Sequence, residues 1–97
     1  MTLALASVGT LVAVAPAQAA GPCSRQASTG VYVRWYCGPS GGGEYRAYIL
    51  CRNNNPNFPY TNYTRYGSWR AAGNTIGSET YCDSSSDSRL GDGPQTR

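Results

Sequence analysis

The carboxylates of this chain are few: Glu44, Glu79, Asp83, Asp87 and Asp92. A pair of carboxylates is the minimum for glycoside hydrolysis, one protonating the leaving oxygen while the other activates water or attacks the sugar. Glu44 falls at the end of a glycine-rich connection and Glu79 in a half-exposed strand, so both read as solvated side chains. The spacing of the three aspartates does not match the alternating ligands of a calcium loop. Histidine and lysine are absent. Their absence removes His-based triads, imidazole general acid–base chemistry, most zinc sites and Schiff-base catalysis. No metal or cofactor is expected, and no catalytic motif points to an enzyme.

The remaining chemistry lies in cysteines and aromatic residues. Cys23, Cys37, Cys51 and Cys82 include no Cys-x-x-Cys knuckle, so they read as two disulfides rather than a metal site. All four follow Met1 to Ala20, an uncharged apolar stretch that ends in Pro16-Ala17-Gln18-Ala19-Ala20. Ala17 and Ala19 fit the small-x-small pattern of a secretory cleavage site, which places residues 1–19 as a signal peptide. No Lys or Arg precedes the apolar run, so the true start is expected upstream of Met1. The run is too short for a membrane span and no later segment is a candidate. A secreted, extracellular location follows, where disulfides persist and small domains depend on them.

All eight basic residues are arginine, a bias expected of a GC-rich, actinobacterial genome. The net charge of +3 is spread over isolated arginines, too dispersed for a nucleic-acid footprint.

Residues 20–83 read as a small all-β domain, because Tyr, Val, Thr and Trp alternate with turn formers and no segment has helical periodicity. Gly30 to Cys37 alternates, with Val31, Val33, Trp35 and Cys37 on one face and Tyr32, Arg34 and Tyr36 on the other. Glu44 to Cys51 alternates likewise, with Tyr45, Ala47, Ile49 and Cys51 against Arg46, Tyr48 and Leu50. Joined by Gly38 to Gly43, these segments are expected to form a hairpin with Trp35 opposite Ala47 and Val33 opposite Ile49. A second hairpin is expected from Tyr60–Arg70 and Ile76–Cys82. The fold expected is an antiparallel sheet or a minimal sandwich of two hairpins. Residues 84–97, rich in Ser, Asp and Gly, read as a disordered tail.

In that register Cys37 and Cys51 stand at opposite ends of the first hairpin, roughly 20 Å apart at about 3.3 Å per residue, beyond disulfide reach. Two pairings remain open. The sequential one, Cys23–Cys37 with Cys51–Cys82, needs a preceding strand that folds back near Ser28-Thr29-Gly30 and is favoured. The interleaved one, Cys23–Cys51 with Cys37–Cys82, needs Cys23 at the open end of the hairpin.

Tyr32, Arg34, Tyr36, Arg46 and Tyr48 are the candidate binding residues, on an outward Tyr/Arg face that suits recognition of an extracellular polysaccharide or protein. Trp35 and Trp69 read as core. Phe58, in the Asn53–Pro59 loop, is the candidate contact of an alternative reading, a secreted hydrolase inhibitor or antimicrobial effector.

The segment Tyr45-Arg46-Ala47-Tyr48-Ile49-Leu50-Cys51, followed by Tyr66-Gly67-Ser68-Trp69 and Ser78-Glu79-Thr80-Tyr81-Cys82, resembles a pattern in small secreted actinobacterial proteins of unknown function. The resemblance covers Tyr45 to Cys82. It implies a small disulfide-bonded β-domain and no particular activity.

Overall fold

The computed structural model describes residues 20–57 and 61–97. The expected signal peptide and Phe58 lie outside the described residues. Among the described residues seven strands run in chain order: β1 Cys23–Thr29, β2 Tyr32–Cys37, β3 Glu44–Asn53, β4 Thr61–Tyr66, β5 Arg70–Ala71, β6 Ser78–Tyr81 and β7 Ser88–Thr96. They form two antiparallel sheets. One has the order β1-β2-β6; the other is built on β3, which pairs with β4, β5 and β7. Within the second sheet Tyr48 lies between Tyr66 and Gly93, and Tyr45 between Arg70 and Thr96. Strands β4 and β5 therefore share one flank of β3, and β7 takes the other.

The small all-β fold agrees with the sequence reading, as does the alternation of β2 and β3. Val33, Cys37, Tyr45, Ala47, Ile49 and Cys51 are all buried. The expected hairpin between these two strands is not formed. Strand β2 pairs instead with β1, Thr29 facing Tyr32 across a tight turn, and with β6, Trp35 facing Ser78. Alternation fixes which face of a strand is buried; it does not fix whether two apolar faces meet side by side in one sheet or face to face across two. Here they meet face to face, so Val33, Ala47, Ile49, Cys51 and Cys82 form one core between the sheets. Gly41, Gly42 and Gly43, all at positive φ, carry the chain from one sheet to the other, a path that few other residues could follow.

The second expected hairpin is also split, because β4 joins the second sheet and β6 the first. Between β4 and β5 the chain steps away from β3, and Gly67 fills the gap. Its N–H donates to the Ala47 carbonyl at 2.9 Å. A Cβ there would stand 2.5 Å from the Glu79 carbonyl oxygen.

Residues 84–97 are not a tail. After a turn closed by the Asp87 N–H on the Ser84 carbonyl, β7 runs along β3 from Ser88 opposite Arg52 to Thr96 opposite Tyr45. Its Gly and Pro content suits an edge strand. Pro94 removes one donor where edges tolerate it, and Gly93 lies beneath the Tyr48 ring, where a Cβ would come within 2.7 Å of the phenol oxygen. Strand β3, buried on its inner face, has ladder groups on both flanks that need partners, and β7 supplies one set.

Both disulfides follow the favoured pairing, Cys23–Cys37 and Cys51–Cys82. Cys23 faces Cys37 across the β1–β2 hairpin, the folded-back strand that this pairing needs. The hairpin used to eliminate Cys37–Cys51 is absent, however, so the agreement rests on the β1–β2 turn alone. Cys51–Cys82 links β3 to the segment just after β6, and so ties one sheet to the other.

Two polar devices reinforce that tie. Buried Ser78 accepts the Ala47 N–H at 2.9 Å and donates to the Ser68 carbonyl at 2.7 Å. Asp92, on β7, accepts Trp35 Nε1–H at 2.7 Å and an Arg25 N–H at 3.0 Å. Its side chain is 8% exposed, so this residue of the expected acidic tail is instead a shielded link between sheets. Trp35 packs against the core, as expected.

Tyr45 is buried and donates its hydroxyl to the Asn74 carbonyl at 2.6 Å. Burial raises its phenol pKa above the ordinary value near 10.0. A group with a raised folded-state pKa contributes stability that is fully present below the unfolded value and lost as pH climbs through the folded one. Stability is therefore expected to hold up to about pH 10 and to fall above it. In Tyr45→Phe this alkaline loss should be smaller. Denaturant midpoints at pH 8 and pH 11 check this, and an equal loss in both proteins would contradict it.

Candidate functional site

Even-numbered positions of β3 face away from the core. Arg46 and Tyr48 are half-buried there, and Leu50 and Arg52 are exposed. Across the ladder, Tyr66 faces Tyr48 from β4, while Gln95 faces Arg46 from β7. The Arg46 guanidinium lies 4.0 Å from the centroid of the Tyr66 ring and 4.5 Å from that of Trp69. The Arg97 guanidinium lies 3.9 Å from the same Trp69 ring. The result is a run, Tyr66–Arg46–Trp69–Arg97, across the outer face of the second sheet.

Local folding explains how the run assembles. The step at Gly67–Trp69, forced by the close approach to β6, brings Trp69 over β3 rather than into the core. Arg97 exchanges backbone hydrogen bonds with Glu44 and so reaches the same face from the end of β7. Each guanidinium is also anchored through Nε: Arg46 donates to Gln95 Oε1 at 2.6 Å, and Arg97 to Glu44 Oε1 at 2.8 Å. Stacked guanidiniums of this kind contribute about 0.5–1 kcal/mol each at exposed sites. Tyr66 remains 51% exposed.

The structure divides the sequence-derived candidates. Arg46 and Tyr48 belong to this face. Tyr32 and Arg34 lie on the outer face of the other sheet, where Tyr32 donates to Glu79 Oε2 at 3.1 Å and Tyr32 pairs with exposed Tyr81. Tyr36, near the end of β2, stands edge-on to buried Tyr45, centroids 6.2 Å apart. The single Tyr/Arg face expected from a β2–β3 hairpin is thus two faces on opposite sides of a sandwich. Trp69, expected in the core, lies half-buried on this outer face. Tyr66, Trp69, Gln95 and Arg97 complete the face and were not singled out as binding residues. The sequence did hold one signal, the Tyr66-Gly67-Ser68-Trp69 segment within the family-like pattern.

Glu44 and Glu79 sit on opposite outer faces, engaged with Arg97 and Tyr32, so they do not form an acid–base pair. A concavity of about 500 Å³ lies between Asn53–Pro56 and Asp83–Asp87. Its charges are used internally. Arg65 grips Asp83 through two hydrogen bonds of 2.8 and 2.6 Å, and this holds the Asp83 carboxyl below the usual range. Tyr63 donates to Asp87 and accepts the Asp83 N–H at 2.8 Å. Desolvation, then the Asp87 hydrogen bond, raises the Tyr63 phenol. Asn54 donates from its amide to the Ser86 carbonyl at 3.1 Å and to the Ser88 hydroxyl at 2.7 Å. No family model, curated protein or solved structure matches this chain.

Proposed function

We propose that this chain is an exported, non-enzymatic binding module, of the kind small actinobacterial secreted proteins would provide, and that it binds through the outer face of its second sheet. The observation that carries the reading is the surface run Tyr66–Arg46–Trp69–Arg97. Large aromatic and guanidinium groups are the residues that dominate recognition surfaces, and here they stand outside the core. Anchoring by Gln95 and Glu44 fixes the side chains before a ligand arrives, which reduces the ordering cost of association. Two disulfides, and the lack of any helix long and apolar enough to cross a membrane among the described residues, are compatible with an extracellular setting.

Co-sedimentation of the oxidised protein with insoluble polysaccharides and cell walls tests the proposal. Retention is expected, and Trp69→Ala, which removes the ring on which both guanidiniums stack, should weaken it by about tenfold or more. Tyr32→Ala, on the opposite face, should bind as the wild type does. Equal retention of Trp69→Ala and wild type would sink the assignment of the face, and no retention on any polymer would sink the reading as a whole.

A further inference from the structure

Resting on that binding reading, the geometry points to an acidic glycan as the ligand: we infer that the face takes a polysaccharide whose carboxylates or phosphates meet Arg46 and Arg97. A neutral sugar stacks its C–H face on a bare aromatic ring, yet the rings here already carry guanidiniums. Trp69 has two cations stacked on it and Tyr66 has one. A ligand approaching the run therefore meets arginine N–H groups beside the rings.

Charge arrangement supports the same conclusion. Arg46 is held by the neutral Gln95 and by two rings, with no carboxylate among its hydrogen bonds or ion pairs to the described residues. Of the five side-chain carboxylates, four are engaged elsewhere, Glu79 with Tyr32, Asp83 with Arg65, Asp87 with Tyr63 and Asp92 with Arg25 and Trp35, while Glu44 pairs with Arg97 and leaves Arg46 as the cation of the face without a carboxylate partner among the described residues. Nε is the anchored nitrogen of both Arg46 and Arg97. The terminal nitrogens, the pair suited to a two-point contact with carboxylate or phosphate oxygens, are left for a ligand. Both guanidiniums lie within 4.5 Å of one ring centroid, so Arg46 offers its charge, and Arg97, partly balanced by Glu44, offers its terminal N–H groups, to successive acidic groups along a chain.

The experiment compares retention on polygalacturonate beads, on phosphate-bearing cell-wall sacculi, and on neutral cellulose and β-1,3-glucan, at low and high salt. Strong retention is expected on one or both acidic supports and weak retention on the neutral ones. Binding to the acidic support should fall about tenfold or more in high salt, because the charges are exposed and screened. Which acidic support retains the protein tells a carboxylate source from a phosphate source. Arg46→Gln should lose about tenfold. Arg46→Lys should lose nearly as much, because an ammonium keeps the charge but not the planar fork or the stacking. Arg97→Gln provides an independent second variant, and thermal melts confirm that each protein is folded. Equal, salt-insensitive retention on neutral and acidic supports would overturn the acidic-ligand inference and leave the binding module intact. Retention on none would remove both.

Discussion

Replacing Cys51 and Cys82 together by alanine is expected to remove about 4 kcal/mol of stability, from the loop-closure entropy of a 31-residue separation. A domain of this size has only about 5 kcal/mol to lose. The thermal midpoint should therefore fall by about 20 °C or the fold should fail at 37 °C, at about 4–8 °C per kcal/mol for a chain of this length. The matched variant, Cys23→Ala with Cys37→Ala, closes a 14-residue separation and is expected to lose about 3 kcal/mol. The two differ in more than loop length. Cys23 and Cys37 join strands that the β1–β2 ladder already holds in register, whereas Cys51–Cys82 joins the two sheets through a core of few apolar side chains. Denaturant unfolding of both double variants checks the order. A larger loss for the Cys23–Cys37 variant would show that the bond between sheets is not the principal staple.

The second large effect is expected at Ser78. Its hydroxyl is fully buried and serves two backbone groups, the Ala47 N–H and the Ser68 carbonyl. Ala47 sits where β4 has ended and β5 has not begun, so no ladder strand can take its N–H on that flank. Ser78→Ala would leave a buried donor without a partner, a loss of about 1–3 kcal/mol for each such group. We expect a destabilisation of about 3 kcal/mol, with faster amide exchange at Ala47. Exposed Ser24→Ala should change stability by less than about 0.5 kcal/mol. A Ser78→Ala protein as stable as the wild type, with Ala47 still protected, would contradict this account. The same serine holds the Ser68 carbonyl, next to Trp69, and thereby helps to set the step that delivers Trp69 to the outer face. Its loss should therefore also weaken retention on polysaccharide supports.

Much of this fold was legible in the residues. The two alternating runs at 31–37 and 44–51 gave the buried faces correctly, because period-two burial is a local property of a strand. Four cysteines in a chain of this size implied two staples, and the turn at Thr29–Gly30 favoured the pairing that the structure contains. The face carrying Arg46 and Tyr48 was also recognisable as outward.

Tertiary structure alone decided which strand lies beside which. Two apolar faces are satisfied equally by one sheet or by two facing sheets, so alternation cannot place β2 and β3 in different sheets. That choice separated Tyr32 and Arg34 from Arg46 and Tyr48. Strand β7 was illegible for a related reason. Its residues bury little apolar surface, and they are ordered by the unpaired flank of β3 and by the ring of Tyr48 that needs a glycine beneath it. Trp69 and Arg97 meet Arg46 only because Gly67 steps the chain off β3 and because β7 ends beside Glu44. By itself the sequence determined which side chains share a side of β2 and of β3, since that depends on neighbours two residues apart. The cationic–aromatic run is a contact among residues up to 51 positions apart, and only the packing of two sheets brings such residues together.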